Sequence, residues 1–230
     1  DIEAVNFTTY GATLVYLDKD GNRVTPVYNY LKSVDEEIFE EFYDKYEGKQ
    51  EFCRKTASPA LGMLNSGLQI YWLKKKKPEY WEQVEHILHF PQYLSYLFTG
   101  KIVSEHTSIG CHTGMWNFDK MEYHYWLDEE GVALPQPIEN STKYNVEIAD
   151  KYIDVGIGTH DSSASLVPFL EQDNDNFMLI SSGTWAINMN PFNSSNLNKE
   201  QLANDCLCYL SVNQKQVKSS RFFMGHIHDK

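Results

Sequence analysis

Two turns in the last third of the chain constrain its fold more than any other feature. In KYIDVGIGTHDSSASLVPFL, residues 151–170, a β-branched run ends at Gly156 and Gly158, and a stretch with helical potential opens at Asp161. In NFMLISSGTWAINMN, residues 176–190, a strand-like run meets Ser181, Ser182, Gly183 and Thr184 before a second strand-like run begins. Strand, turn and helix followed by strand, turn and strand predict an α/β protein, and in such folds ligands collect at the carboxyl ends of strands. Both turns are therefore candidate ligand sites.

The residue types at those turns set the chemistry they can support. Asp161 at a helix start is expected to be held ionised by the local dipole and free amides, which suits a carboxylate that orients a hydroxyl and accepts its proton. The same position also suits a plain helix cap, and the residues alone leave both readings open. The small side chains of Ser182, Gly183 and Thr184 expose backbone N–H groups to a phosphate oxygen, although serine and threonine are equally at home in a hairpin turn. A serine hydrolase built on Ser181 or Ser182 with His160 is disfavoured, because no GxSxG elbow frames either serine.

Upstream, residues 2–8 and 11–18 with the turn DKDGN predict a meander of antiparallel strands. Ser33 and Glu36 form a capping box for a helix over 34–47, with Ile38, Phe39, Phe42 and Tyr46 on its apolar stripe. A mostly buried helix over 61–73 ends in Lys74–Lys77, and Pro78 opens the next helix. The lysine run reads as a solvated end matched to the helix dipole rather than an anion patch. Two helical patterns fill 79–98 up to Gly100, and Asp119 is expected to cap another helix that stops at Gly131. The stretch 133–145, with two prolines, reads as a connector into a new unit.

Charge and composition remove several function classes. Lys and Arg total 20 against 32 Asp and Glu, so a broad electrostatic grip on nucleic acid or anionic lipid is not expected. No apolar run approaches the ~20 residues that cross a bilayer, which makes a cytoplasmic protein without membrane attachment the expectation. The four cysteines lack a CxxC pair, so neither a disulfide framework nor a zinc site is expected. The pairs His86/His89 and His226/His228 lack a third ligand at convincing spacing, and the histidines, including His106 and His112, read as surface or core residues with no metal set.

GTHDSSAS followed by ISSGTW resembles the FGGY family of carbohydrate kinases, in particular its L-rhamnulokinase and L-fuculokinase branch. LQIYWLKKKKPEYW and YLSYLFTGKIVSEHTS are similar to two further family segments, with Gln69 where a lysine is usual. The resemblance implies a ribonuclease H-like, actin-like ATPase fold of two lobes, the second only partly present. It divides the chain into an N-terminal sugar-kinase lobe over 1–153 and a segment over 154–230 that holds the catalytic turn and begins the C-terminal lobe.

It also implies ATP and Mg2+ as cofactors, a small sugar as substrate, and the possibility of a homodimer. By that likeness Asp161 is the general base, and Thr9, Tyr10, Gly11, Thr13, His160 and Asp161 contact sugar. Ser182, Gly183 and Thr184 face the ATP phosphates. Thr13 stands where the branch carries an aspartate, and YNYLKS at 28–33 lacks the usual acidic and arginine pair, so a non-catalytic sugar-binding or regulatory relative is the competing expectation. The chain opens at Asp1, after the point where the family's phosphate hairpin would lie, and stops at Lys230, before the adenosine segment, so a piece of a longer polypeptide is expected.

Overall fold

The computed structural model describes residues 2–34, 36–170, 176–182 and 185–223. The first two strands of the chain pair with segments from far along it. Ala4–Val5 runs parallel to Lys151–Gly156, and Thr8–Thr9 runs parallel to Thr159–His160 in register Thr9↔His160. The expected antiparallel meander is thus not formed. Only Leu14–Leu17 is antiparallel to a neighbour, the buried strand His86–His89, and Arg23 folds back on Leu17 through the Asp18–Asn22 turn. Strand propensity placed extended segments correctly, but it carries no information about a partner so distant in sequence.

Lys151–Gly156 also pairs with Lys143–Ile148 in a hairpin whose two connecting residues, Ala149 and Asp150, both have positive φ, at 51° and 62°. That is the backbone twist a two-residue hairpin loop requires. The last third forms a four-stranded antiparallel sheet in the order Leu179–Ser182, Trp185–Asn190, Gln216–Phe223, Cys206–Leu210. The helix Asp161–Leu170 lies on it, burying Leu166 among Met189, Leu207, Tyr209 and Val217. Ser163 fixes the helix by donating to the Leu210 carbonyl at 2.8 Å.

A larger apolar core sits among the helices Glu37–Lys45, Lys49–Lys55 and Ser66–Lys76. Phe42 is its hub, with the rings of Phe52, Tyr71 and Trp126 standing edge-on at 5.0, 5.0 and 5.2 Å. Truncating a phenylalanine in such a site to alanine costs about 3–5 kcal/mol. The end of Ser66–Lys76 and the opening of Pro78–Trp81 fall where the lysine run and Pro78 place them. Gly100 terminates Phe90–Thr99 in the left-handed conformation, with φ 64°.

Three local expectations fail for identifiable reasons. The first helix starts at Glu37 with Glu36 at its cap and no side-chain cap bond, so Ser33 does not form a capping box. Residues 86–89 are extended rather than helical, because they pair with the buried strand Leu14–Leu17. Asp119 caps no helix. Asn117 Oδ1 accepts from the amides of Asp119 and Lys120 at 3.0 and 3.3 Å, and this turn joins Trp116–Asn117 to Glu122–Tyr123 as a short hairpin. Only Trp126–Glu129 of that segment is helical.

Candidate active site

The strap from Gly156 to Asp161 is the element that the two parallel pairings hold in place. Gly158 has φ +88°, and a Cβ there would lie 2.6 Å from the Pro91 backbone, so only glycine fits the bend. Its N–H donates to Asn6 Oδ1 at 2.9 Å. Thr159 and His160 then form the short strand beside Thr8–Thr9, and Asp161 begins the helix.

Asp161 faces a cleft of about 350 Å³. Tyr10 and Gly11 line it on the side of the first strands, and Ser181 and Ser182 line it on the side of the four-stranded sheet. Asp161 and the serines at 181 and 182 therefore share one cavity. The Asp161 side chain is 54% exposed, and its Oδ1 accepts from the Ser162 amide at 2.6 Å. Despite that bond, partial burial raises its pKa from the ordinary value. This corrects the expectation that amides and dipole would dominate: burial outweighs the Ser162 amide and hydroxyl together. A carboxylate shifted upward is a stronger base once ionised.

His160 is almost fully buried, stacked on Tyr209 with ring centroids 5.5 Å apart, and its Nε2 lies 3.3 Å from Asp161 Oδ1. Burial drives its pKa down to about 4, so the imidazole is neutral near pH 7. His112, also lining the cleft, is driven to about 3 by burial and by His160. Gly11 is tightly packed: a Cβ there would stand 2.8 Å from Cys111 Sγ and 3.2 Å from the His160 ring. Gln69 explains its own presence, since its buried amide donates to the carbonyls of Ala12 and Met63, both at 2.6 Å, and so anchors the loop that carries Gly11.

The remaining expected site residues are distributed unevenly. Thr9 belongs to the paired strand and donates its hydroxyl to the Tyr10 carbonyl at 2.9 Å, away from the described lining. Thr13 is 1% exposed and is not among the residues that line the cleft. Gly183 and Thr184 fall outside the described residues, as do His226 and His228.

Sequence reasoning missed Tyr30, Tyr209 and Arg221, all on the lining. Arg221 is the only Lys or Arg among the described lining residues. It stands across from Ile187, which stands across from Ser181, so sheet register alone puts it on the cleft face. No local pattern in RFF announces that placement. Among the described residues no group of three or more His, Cys, Asp or Glu is placed to hold a metal ion, and no helix is long and apolar enough to cross a membrane.

This cleft lies between a strand-paired strap and a second sheet of a mixed α/β fold. Residues 1–158 match the model of the FGGY family of carbohydrate kinases, N-terminal domain, and the chain belongs to that family. It is 25% identical over 194 residues to a rhamnulokinase of Oceanobacillus iheyensis, covering 80% of this chain and 40% of that protein. With a rhamnulokinase of Pectobacterium atrosepticum it shares 28% identity over 203 residues, 84% of this chain and 40% of the relative.

Among solved structures it superposes on a carbohydrate kinase from Novosphingobium aromaticivorans with TM-score 0.82 at 24% identity, covering 97% of this chain and 51% of that one. It also superposes on a Plasmodium falciparum glycerol kinase with ADP, with TM-score 0.78 at 14% identity, covering 100% of this chain and 48% of that one. The fold is the actin-like ATPase fold of those kinases, and the chain spans about 40% of the length of the curated relatives it matches.

Proposed function

We propose that these residues form the sugar-binding side of an ATP-dependent kinase that phosphorylates a small ketose, such as a rhamnulose- or fuculose-like sugar. The observation that supports this reading most directly is that Asp161 and the serines at 181 and 182 line the same cleft. Phosphoryl transfer asks for alignment and charge stabilisation rather than covalent chemistry, so one carboxylate opposite a set of donors is a sufficient core.

In this reading Asp161 accepts the proton of the attacking sugar hydroxyl, while Tyr10, Gly11 and His160 shape the sugar side. Neutral His160 keeps the carboxylate free of a competing cation and orients it. Ser182, with Gly183 and Thr184, faces the phosphates of ATP. The described cleft offers one carboxylate and three serine hydroxyls, a set that fits Mg2+ as an ion carried on ATP phosphates, since Mg2+ in such sites keeps waters and takes one or two carboxylates. Bound there, Mg2+ would supply charge neutralisation. A first lobe over 1–153 followed by a second segment over 154–230, a homodimer and a cytoplasmic location belong to the same reading. The lobe division would pass through the strand Lys151–Gly156.

One observation favours the non-catalytic alternative: Thr13, in the place of an acidic sugar contact, is buried and is not among the residues that line the cleft. Sugar-dependent ADP release by the complete polypeptide decides between them. Asp161→Asn should lower turnover by about 10²–10⁴-fold, the range of a general base. Equal turnover in that variant would remove Asp161 from the role, and saturable sugar binding without phosphorylated product in the unaltered protein would establish the alternative.

A further inference from the structure

Beneath the strap lies a carboxylate that the proposed chemistry does not use. Glu105 is fully buried, at 0% exposure. Its Oε1 accepts from Thr107 Oγ1 at 2.8 Å and from the Ser108 amide at 2.6 Å. Its Oε2 accepts from the Thr107 amide at 2.7 Å and from Asn140 Nδ2 at 3.2 Å. Gln92 Nε2 stands 3.5 Å from Oε1. All of these donors are uncharged. A buried carboxylate without a cation is costly, and burial raises the pKa of this one. Two of the bonds, from the Thr107 and Ser108 amides, cap the short helix His106–Ile109, and the remaining donors lead onward to the strap.

They reach the strap residue by residue. Gln92 Nε2 donates to the Ile157 carbonyl at 3.1 Å. Asn140 Nδ2 reaches the Gly158 carbonyl at 3.2 Å and Thr159 Oγ1 at 3.0 Å. Thr107 Oγ1, having donated its proton to Glu105, accepts from the His160 amide at 3.0 Å. Four consecutive residues ahead of Asp161 are thus gripped by side chains whose other bonds converge on one carboxylate. The bonds also cross the fold, linking the segments around 92, 105 and 140 to the strap.

We propose that Glu105 is a positioning residue that, through Thr107, Asn140 and Gln92, fixes the strap and thereby sets where the Asp161 carboxylate stands in the cleft. The inference rests on the reading of Asp161 as general base. Glutamine cannot substitute for it. Both carboxylate oxygens face a backbone N–H, from Ser108 and from Thr107, so the amide NH2 meets a donor whichever way it is turned. Thr107→Val removes the relay alone while keeping side-chain volume.

The test uses the complete polypeptide with three variants, Glu105→Gln, Thr107→Val and Asp161→Asn, read by steady-state kinetics and by hydrogen exchange of backbone amides. Both clamp variants should speed exchange at 157–160 at least about tenfold, leave Ser66–Lys76 unchanged, and lower kcat about 10–100-fold with KM for ATP unchanged. Exchange at 157–160 that stays at the unaltered rate, or that rises equally throughout the chain, would overturn the proposal. So would unaltered kcat in both clamp variants while Asp161→Asn is inactive, an outcome that leaves the base reading intact. Full turnover in Asp161→Asn would end the base reading, and the clamp would still be judged by the exchange rates.

Discussion

Among the described residues two glutamates are buried, and they solve the same problem differently. Glu130 lies in the helical core, its side chain 6% exposed, with Lys45 Nζ at 2.6 Å and Tyr46 Oη at 2.6 Å on Oε1 and Lys74 Nζ at 2.7 Å on Oε2. Its cations hold its pKa down at about 2 in spite of burial. Glu105, beside the cleft, has only neutral donors, and its pKa moves the other way. The cations at Glu130 tie the end of helix Ser66–Lys76 to the Trp126–Glu129 segment, where only stability is at stake. At Glu105 an added cation would lie close under His160 and Asp161 and compete for the carboxylate that faces the cleft. Neutral donors secure the strap without putting charge there.

The largest effect that separates the two sites is on stability. Glu130→Ala leaves the buried Tyr46 hydroxyl and the part-buried Lys74 without their acceptor, while half-exposed Lys45 turns to solvent, and leaving such a buried polar group unsatisfied costs about 1–3 kcal/mol. Urea unfolding monitored by tryptophan fluorescence should show that loss as a lower midpoint at unchanged slope. A loss under about 1 kcal/mol would mean that the cluster is solvated, and the contrast with Glu105 would collapse.

A second difference is the sign of the pH response. Glu130 has a folded pKa below its ordinary value of 4.5, so its contribution is present above that value and lost as pH falls from 4.5 through about 2. Glu105 has a folded pKa above 4.5, so its contribution is present below 4.5 and lost as pH rises through the raised value. The stability of the unaltered chain relative to Glu130→Gln should therefore shrink on acidification, and that relative to Glu105→Gln should shrink as pH rises above 4.5. Urea midpoints across that range give both slopes, and slopes of the same sign would show that the two environments are not distinct.

How far the sequence could be read follows the same division between local and distant causes. Pro78, Gly100 and the bend at Gly158 act on their own backbones, and each is legible from the residue and its neighbours. The turn chemistry around Asp161 and around Ser181 and Ser182 marked each as a candidate ligand site, whereas their sharing one cavity depends on the fold. What could not be read was partner choice. Nothing in AVNFTT says that it pairs with residues 154–160, and nothing in SEHTS or in Asn140 says that they grip the strap.

Arg221 shows the same limit, since its place on the cleft depends on which strands flank Trp185–Asn190. The helix expected over 120–130 failed because Asn117 captures the backbone donors and Trp116 packs edge-on against Tyr123 at 5.6 Å, a pair that exists only once the hairpin has formed.

The smallest expected effect refines the Glu130 side of the comparison. Its two cations are unequal: the Lys45 side chain is 46% exposed and that of Lys74 is 29% exposed, and Lys74 Nζ also donates to the Glu130 carbonyl at 2.6 Å. Solvent screens the Lys45 pair, and exposed ion pairs contribute about 0–1 kcal/mol. Lys45→Met, which keeps the stem over Tyr46 and removes only the charge, should therefore cost less than about 1 kcal/mol, and Lys74→Met should cost more. Equal losses would mean that Glu130 is held as a symmetric triad rather than mainly by the helix end, and the stability of the core would then depend on the rim lysine as much as on the one beneath it.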